Sequence, residues 1–566
     1  MRIRVTLFLL LAVLPISGQV PTAVGRRGMV SASNEIAARF GLNILRRGGN
    51  AIDAAVATGF ALAVIDPRAG NLGGGGFMVI RLADGTTTTI DFREKAPQAA
   101  SRNMYLDPQG KAIVDLSRKG ILASGVPGSV RGFGLAHERY GRLDWKLLLA
   151  EAVALAENGF AVSYQMHIDF TAKAEDIAIY EETRRIFYRG GKAPNLNALL
   201  RQPDLAATLR RIAELGPDDF YTGQTARLLV QHMQRHSGLI TAQDLADYQA
   251  LERPAIQFGY RDVEVISMGP PSSGGIVLAE ILNQWEQVDI GALGYHSADH
   301  VHVMVEAERR AFADRARYLG DQDFVDIPAA QLISDDYAAQ QWRSFNRTWA
   351  TDSRALAPGL MALADEALET THFSVIDRQG NAVAVTTTLN SHFGSGMVVA
   401  GAGFFLNNEM DDFVSKPGAP NMYGLIGSAA NAIAPGKRML SSMTPTIVTR
   451  NGQLLLVTGS RGGGRIITTV AQVISNVVDF GMTIGDAVHA PRIHHQWLPD
   501  RILVETRALQ LETVRKLLRM GHRIDERTDT GAEVSIGTAH TIWVDPETGW
   551  YFGIADPRTD SGAMGY

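Results

Sequence analysis

The chain has 566 residues, 46% of them hydrophobic and 20% charged, which is the composition of a globular protein and not of a disordered chain or a membrane bundle. Its net charge is -5 and its charged residues are dispersed, so no basic stripe predicts a nucleic-acid partner. The absence of cysteine excludes disulfides, thiol nucleophiles and thiolate-bound metals.

The first 18 residues have the pattern of a secretory signal peptide. Two arginines precede an apolar run from about Val5 to Leu14, and the small residues Ser17 and Gly18 follow. The run is shorter than the roughly 20 residues that a membrane-spanning helix needs. We therefore expect residues 1–18 to be removed, at a site that the pattern locates only approximately, and the protein to be exported, either periplasmic or secreted. A buried N-terminal helix or a membrane anchor is the alternative.

Helix and strand patterns alternate through the first half of the chain. Residues 30–64 carry apolar residues at helical spacing and are rich in Ala and Gly, which predicts helices packed closely on a sheet. Residues 77–94 alternate apolar and polar residues around an Asp-Gly turn, which predicts a β-hairpin. Residues 145–250 are predicted to be mostly helical, and residues 296–321 to form a long amphipathic helix.

The most sharply defined hairpin is predicted for residues 371–390, directly after Thr370. Its three-residue loop ends in Gly380, which suits a connection whose last position is left-handed. Pairing Asp377 with Asn381 then sets the register of the two strands. The predicted cross-strand pairs are Phe373 with Val385, Val375 with Val383, His372 with Thr386, and Thr370 with Thr388.

Thr370 has the chemistry of a conditional nucleophile. A threonine at a free N-terminus carries a general base on the same residue, because its α-amine has a pKa close to neutral. While Thr370 is internal, its nitrogen is an amide and is not basic. The hydroxyl of Thr370 can attack the carbonyl of Glu369 to give an ester that water hydrolyses, so the same residue is predicted to cut the chain between Glu369 and Thr370.

Segments that occur in one order from about Gly28 to near the C-terminus resemble those of the γ-glutamyltranspeptidase family, whose members are N-terminal-nucleophile hydrolases. The resemblance implies an α+β fold, a four-layer αββα sandwich formed by two fragments of one autocleaved precursor. The matching segments are GNAIDAAVA, NLGGGGFM, DFREKAP, ASGVPGSVRGF, GPPSSGG, TTHFSVID, NNEMDDF, MLSSMTPTI and GSRGGGRIITTV.

The resemblance implies catalytic roles for four residues. Thr370 would be the nucleophile, and Thr388 would be the hydroxyl that orients it. Gly462 and Gly463 match the oxyanion hole, where backbone N–H groups stabilise the charge of a tetrahedral intermediate.

The resemblance also implies a site for the α-amino acid end of the substrate. Arg93 matches a clamp for the α-carboxylate, since a guanidinium can hold a carboxylate with two charge-assisted hydrogen bonds. Ser441 and Ser442 match two serines that bind the same carboxylate. The remaining matches are Asn390, Glu409 and Asp412 for the α-ammonium group, and Tyr423 for a lid over the pocket.

Other motifs favour structural interpretations. The glycine runs 73–76 and 462–464 do not continue into a phosphate-binding lysine motif, so we expect them to allow close backbone approach. Ser272 and Ser273 lack the strand–turn–helix context of a serine hydrolase. Without cysteine or an HExxH motif the sequence predicts no metal site, and the resemblance implies no cofactor.

The resemblance implies a γ-glutamyltransferase and glutathione hydrolase. Residues 24–369 would form the large subunit and residues 370–566 the small subunit of a heterodimer. The expected partners are small γ-glutamyl substrates such as glutathione, with amino acids or dipeptides as acceptors, and no membrane span is expected after signal removal. The alternatives are an amidase of the same superfamily that resembles cephalosporin acylases or processes poly-γ-glutamate, and a non-catalytic exported protein that binds glutamyl compounds.

Overall fold

A computed structural model describes residues 22–356, 370–416, 420–527 and 535–566. The predicted signal peptide and Glu369 lie outside the described residues. Within those residues, no helix combines the length and the apolar composition that crossing a membrane requires.

Strands occur in both halves of the chain, with none among the described residues between Ser267 and Thr371. They are β1 (Ala23–Gly25), β2 (Gly28–Ala32), β3 (Gly75–Arg81), β4 (Thr87–Asp91), β5 (Phe160–Ala161), β6 (Leu199–Leu200), β7 (Leu251–Arg253), β8 (Ile256–Tyr260), β9 (Val263–Ser267), β10 (Thr371–Asp377), β11 (Ala382–Thr388), β12 (Thr446–Arg450), β13 (Gln453–Thr458), β14 (Ser460–Arg461), β15 (Ile493–His494), β16 (Ile502–Glu505), β17 (Ile524–Arg527), β18 (Thr538–Ala539), β19 (Thr541–Val544), β20 (Tyr551–Ile554) and β21 (Gly562–Gly565).

Helices flank these strands and fill the middle of the chain. They are α1 (Glu35–Arg46), α2 (Ala51–Ile65), α3 (Val114–Arg118), α4 (Ser129–Tyr140), α5 (Trp145–Asn158), α6 (Tyr164–Ala172), α7 (Ala174–Ile177), α8 (Glu181–Phe187), α9 (Pro203–Leu215), α10 (Asp218–Tyr221), α11 (Gln224–Arg235), α12 (Ala242–Ala246), α13 (Gly274–Trp285), α14 (Ala298–Tyr318), α15 (Ala329–Leu332), α16 (Asp335–Trp342), α17 (Ser353–Leu356), α18 (Arg465–Val478), α19 (Ile484–His489) and α20 (Leu511–Arg519).

Two seven-stranded antiparallel sheets form the centre of the molecule. The first has the order β21-β2-β10-β11-β3-β4-β7, and the second has the order β1-β20-β19-β13-β12-β9-β8. Apolar side chains fill the space between the sheets, among them Ile376 and Ala384 from the first sheet and Ile447 and Val457 from the second. The two sheets therefore pack face to face.

Helices cover the outer face of each sheet. The first sheet shares one apolar core with α1, α2, α4 and α5. The second shares another with α13, α14 and α18. The order of layers is helix, sheet, sheet, helix, so the predicted four-layer αββα sandwich is confirmed.

Both sheets combine strands from before and after Thr370. Strands β2, β3, β4 and β7 precede it and β10, β11 and β21 follow it in the first sheet. The second sheet mixes β1, β8 and β9 with four later strands in the same way. A cut at Thr370 would therefore leave two fragments that share both sheets.

The predictions for residues 30–94 are confirmed except at their start. Helices α1 and α2 and the hairpin of β3 with β4 lie where the patterns place them. Val30 was expected in a helix but lies in β2, which pairs with β10 and β21. A five-residue strand is too short to show its own periodicity beside a strongly helical segment.

The hairpin after Thr370 has the predicted register. Gly380 has a φ of +87°, and the backbone N–H of Asp377 donates to the carbonyl of Asn381 at 3.1 Å. The observed pairs include Phe373 with Val385, Val375 with Val383, and His372 with Thr386. Extending this register by one residue brings Thr370 opposite Thr388.

Helix α14 confirms the predicted long helix, and most of its polar residues are buried together with its apolar ones. Every residue from His300 to Ala316 is buried, including its charged side chains. Glu306 forms ion pairs with Arg309 and Arg310 on the same helix. These three charges form one ion-paired group inside the protein, and the spacing of residues along a helix does not reveal such burial.

Candidate active site

One small cavity at the end of the two sheets brings together most of the predicted site residues. Two predicted residues are not part of its lining: Gly462 directly precedes the lining residue Gly463, and Glu369 lies outside the described residues. The cavity is lined by Arg93, Thr370, Thr388, Asn390, Glu409, Asp412, Tyr423, Ser441, Ser442 and Gly463, together with Leu425, Met443 and Ile466.

Thr370 lies at the start of the hairpin, immediately before β10, and is 4% exposed. Thr388 ends the facing strand β11. Its hydroxyl oxygen accepts a hydrogen bond from the backbone N–H of Asn390 at 2.8 Å. The Thr388 hydroxyl oxygen therefore accepts a hydrogen bond, and its own hydrogen can be donated to another group.

The glycine run at 73–76 lets β3 approach this hairpin. A Cβ added to Gly74 would lie 2.0 Å from the carbonyl oxygen of Thr388. Asn71 holds the same region, since its amide donates to the Thr388 carbonyl at 2.9 Å and its oxygen accepts from the N–H of Gly74 at 3.0 Å. The predicted close backbone approach is confirmed, and it positions one end of the candidate catalytic pair.

Gly462 and Gly463 form a turn before α18. Their φ angles of +127° and +57° lie in the region that favours glycine. A Cβ on Gly463 would lie 2.5 Å from the ring of Tyr423, so this ring packs directly on the turn. Helix α18 begins two residues later, which brings the positive end of its dipole close to the cavity.

Tyr423 covers this part of the cavity and is 5% exposed. Its hydroxyl donates to the carbonyl of Asn390, and its own carbonyl accepts from the amide of Gln496 at 2.9 Å. The ring thus joins the loop after β11 to the glycine turn, which is the position expected of a lid.

Arg93 also lines the cavity and is 1% exposed. Its Nε donates to the carbonyl of Met439 at 3.2 Å. Its Nη1 lies 2.7 Å from a carboxylate oxygen of Glu409, and its Nη2 donates to Asp412 at 2.5 Å. Its Nη1 also lies 3.5 Å from a carboxyl oxygen of Glu94. The guanidinium that was expected to hold a substrate carboxylate therefore already contacts three carboxyl groups of the protein.

Burial shifts the protonation of the acidic groups around Arg93. Burial raises the pKa of Glu94 to about 8, against the opposing effect of Arg93. Burial also raises the pKa of Glu409 well above its ordinary value. The Arg93 side chain is thus surrounded by carboxyl groups that are not all ionised at neutral pH.

Ser441 and Ser442 lie on a loop that a second turn supports. The backbone N–H and the hydroxyl of Ser273 both donate to the carbonyl of Ser441, at 2.8 and 2.7 Å. The hydroxyl of Ser272 donates to the carbonyl of Met443 at 2.6 Å. The GPPSSGG segment is therefore a support for this loop, in agreement with its predicted lack of a serine-hydrolase role.

The comparison with known families decides where this arrangement belongs. A family model described as gamma-glutamyltranspeptidase matches residues 37–566. This chain belongs to the γ-glutamyltranspeptidase family. Its relatives include the glutathione hydrolase proenzyme of Escherichia coli strain K12, which is 46% identical over 96% of this chain and 92% of that protein. The family predicted from the sequence is confirmed.

Acylases share the fold of this γ-glutamyltranspeptidase family member. The Acylase ACY 1 proenzyme of Pseudomonas strain SE83 is 37% identical over 89% of this chain and 88% of that protein. The solved cephalosporin acylase from Bacillus halodurans has a TM-score of 0.84 and 28% identity and covers 99% of each chain. The same fold thus occurs in proteins that are named as acylases, so the fold alone does not fix the substrate.

Two residues of this γ-glutamyltranspeptidase family member escaped the sequence prediction. Asn421 donates to the second carboxylate oxygen of Asp412 at 2.9 Å and accepts from the N–H of Tyr423 at 2.9 Å, so it links the lid to the acidic group. Arg315 donates to the hydroxyl of Ser442 at 3.0 Å. Asn421 lies two residues from the predicted lid, which is a usable signal, whereas Arg315 lies within a helix whose burial the sequence does not show.

The described residues also contain a group of potential metal ligands away from the cavity. Ligand atoms of His302, Glu306 and His522 lie within 4.8 Å of one another. Both oxygens of Glu306 already receive hydrogen bonds from Arg309 and Arg310, and a cation there would be repelled by these two guanidinium groups. The contacts of these three residues therefore favour a hydrogen-bonded network over a metal site.

Proposed function

We infer that this γ-glutamyltransferase and glutathione hydrolase creates its own nucleophile by cutting the chain between Glu369 and Thr370. The observation that carries this inference is that one cavity is lined by Thr370 and by charged groups of both signs, Arg93 and Asp412. A hydroxyl beside such a pair suits a substrate whose α-carbon bears a carboxylate and an ammonium group. The names of relatives such as the Escherichia coli proenzyme also support activation by cleavage.

The cut requires no other protein. The Thr370 hydroxyl attacks the carbonyl carbon of Glu369, the bond to the Thr370 nitrogen breaks, and the nitrogen takes up a proton to become an amine. The resulting ester between Glu369 and the Thr370 oxygen is hydrolysed by water. The products are a carboxylate at Glu369 and a free hydroxyl beside a free α-amine, which can act as general base.

The γ-glutamyl donor would bind with its α-amino acid end at the charged side of the cavity. Arg93, Ser441 and Ser442 would hold the α-carboxylate, and Asp412 would receive the ammonium group. Glu409 and Asn390 would complete the ammonium site. Since Arg93 contacts Glu409 and Asp412, its guanidinium joins the part of the site that would bind the carboxylate to the part that would bind the ammonium group.

Transfer then proceeds through an ester. The Thr370 hydroxyl, oriented by Thr388, attacks the γ-carbonyl, and the backbone N–H groups of Gly462 and Gly463 stabilise the oxyanion. The amine leaving group departs with a proton, as cysteinylglycine does from glutathione. Water then releases glutamate, or the amine of an amino acid or dipeptide takes the γ-glutamyl group. No step needs a cofactor.

We propose that the active protein is a heterodimer of residues 24–369 and 370–566. Because strands from both parts lie in both sheets, the fragments would remain associated after the cut. The signal-peptide pattern of residues 1–18 supports export to the periplasm or the medium.

An intact-mass measurement of the purified protein tests the cleavage. The expected result is two polypeptides, of which the smaller begins at Thr370. A single uncut chain of about 61 kDa without amidase activity would instead support the non-catalytic binding protein.

An acylase-like specificity is the second candidate, because a cephalosporin acylase shares the whole fold. A glutaryl group lacks the ammonium and would leave Asp412 without its substrate partner. The rates on γ-glutamyl and glutaryl p-nitroanilides separate the two. We expect preference for the γ-glutamyl compound, and preference for the glutaryl compound would overturn the assignment.

A further inference from the structure

Arg315 is a buried cation with an unusual environment. It lies in the last turn of α14 and is 5% exposed. Its Nε donates to the hydroxyl of Ser273 at 2.9 Å, and its Nη2 donates to the hydroxyl of Ser442 at 3.0 Å. Among the described residues no acidic side chain forms an ion pair with it, whereas Arg309 and Arg310 on the same helix both pair with Glu306.

Burying a guanidinium without an adjacent carboxylate is costly, so the position calls for an explanation. Burial lowers the pKa of Arg315 to about 10, although Asp412 lies near enough to oppose this effect. Asp412 itself contacts Arg93. The positive charge of Arg315 is therefore not cancelled by contact with a carboxylate of the protein.

The hydrogen bond from Arg315 determines what Ser442 can do. Because the Ser442 oxygen accepts from Arg315, its hydroxyl hydrogen is left to donate to another group. Ser441 has a similar arrangement, since its oxygen accepts from the N–H of Met443 at 3.1 Å. Both serines line the cavity, so both are arranged to donate to an anion within it.

We propose that Arg315 is a positioning residue that makes this site selective for donors with a free α-carboxylate. It orients the Ser442 hydroxyl as a donor, it braces the loop through Ser273, and its charge is balanced when the substrate carboxylate arrives. Arg93, which already contacts Glu409 and Asp412, then supplies only part of the attraction for that carboxylate. This inference rests on the proposed function of the cavity.

Three p-nitroanilides separate the contributions. The γ-glutamyl compound carries both α-groups, the glutaryl compound keeps the carboxylate alone, and the 4-aminobutyryl compound keeps the ammonium alone. In Arg315→Met we expect KM for the γ-glutamyl compound to rise about tenfold to a hundredfold, with kcat changed much less, because a hydrogen bond network to a charged group is lost. The loss should be similar for the glutaryl compound and absent for the 4-aminobutyryl compound.

Matched variants sharpen the test. Arg317→Met changes an exposed arginine two positions away on α14 and should leave all three rates unchanged. Arg315→Lys, which keeps the charge, should recover part of the affinity. If Arg315 acts through Ser442, the double variant of Arg315→Met with Ser442→Ala should lose less than the sum of the two single losses. An equal loss on all three anilides, or no loss, would overturn the proposal.

A binding measurement that needs no turnover separates failure of the Arg315 proposal from failure of the proposed function. Glutamate should raise the melting temperature of the wild type and of Arg317→Met more than that of Arg315→Met, whereas 4-aminobutyrate should not distinguish them. If the wild type hydrolyses none of the anilides, the proposed function fails, and the glutamate shift still tests Arg315. If Arg315→Met does not fold, the same comparisons are made with Arg315→Lys, and equal behaviour of Arg315→Lys and wild type toward glutamate and glutaryl compounds would overturn the proposal.

Discussion

The two ends of the cavity are built from different chemistry. The end that would react with the amide has two hydroxyls, Thr370 and Thr388, and a glycine turn, and none of these groups carries a charged side chain. The end that would recognise the amino acid holds charged groups, among them the buried Arg93 and the partly buried Asp412. Thr370, Thr388 and Arg93 are all buried, so the main difference between the ends is one of electrostatics.

The two ends of the cavity are expected to control different kinetic constants. Hydroxyl and backbone groups can be aimed at a developing charge without a large desolvation cost, whereas ions must be balanced both before and after the substrate binds. We therefore expect changes at the reacting end to lower kcat and chain cleavage, and changes at the charged end to raise KM.

The largest effect is expected at Thr370. Thr370→Ala should remove both chain cleavage and amidase activity, and loss of a nucleophile lowers kcat by up to about a millionfold in comparable systems. Thr370→Ser keeps the hydroxyl and should retain some of both. Gel electrophoresis and anilide hydrolysis measure the two properties. A cleaved and active Thr370→Ala protein would refute the mechanism.

The next largest effect is expected at Thr388. Thr388→Val keeps the shape but removes the hydroxyl, so kcat should fall by roughly a hundredfold, within the range of a single proton-directing group. KM should change little, because the charged end is untouched. Thr388→Ser is the matched control and should stay close to wild type. A change confined to KM would show that the two ends are not separated as proposed.

Replacing Arg93 should produce the opposite pattern. In Arg93→Lys a single ammonium group cannot contact Met439, Glu409 and Asp412 together, so KM should rise about tenfold or more while kcat falls less. Arg131→Lys, outside the cavity, is the control. Steady-state kinetics on γ-glutamyl p-nitroanilide give both constants, and an unchanged KM would count against the clamp.

The smallest effect is expected on the free energy of unfolding, through the buried Glu94 beside Arg93. Burial raises the pKa of Glu94 to about 8, so the folded protein keeps a proton that the unfolded chain releases near the usual pKa of a glutamate. The folded state therefore binds more protons, and stability should fall as the pH rises from about 5 to 8. Glu94→Gln should weaken this fall.

Urea unfolding midpoints measured from pH 5 to 9 check this pH dependence. Glu35→Gln, at an exposed carboxylate, is the control and should follow the wild type. Parallel curves for the wild type and Glu94→Gln would show that Glu94 does not hold a proton in the folded protein.

Local sequence predicted the reacting end well. The hairpin register followed from alternation and from the loop that ends in Gly380, because strand pairing repeats every two residues and a slip would move each side chain to the other face. The glycine run at 73–76 was correctly read as a place of close approach, since nothing but hydrogen fits 2.0 Å from a carbonyl oxygen.

Prediction was weaker where the outcome depended on neighbours from distant segments. The resemblance indicated Arg93 and Asp412 as residues of the site, but it did not indicate that they contact each other. The amphipathic pattern of α14 did not indicate that most polar side chains of this helix are buried as well.

The sequence alone was enough to predict the family, the β-hairpin that directly follows Thr370, and the residue types that line the cavity. Those features depend on order and spacing along the chain. Only the tertiary structure decided that Arg93 contacts Glu409 and Asp412 and that Arg315 contacts Ser442. The physical reason is that the packing of the layers determines which side chain pairs with a buried charge. The two partners lie on separate helices or loops, so no local sequence pattern predicts their contact.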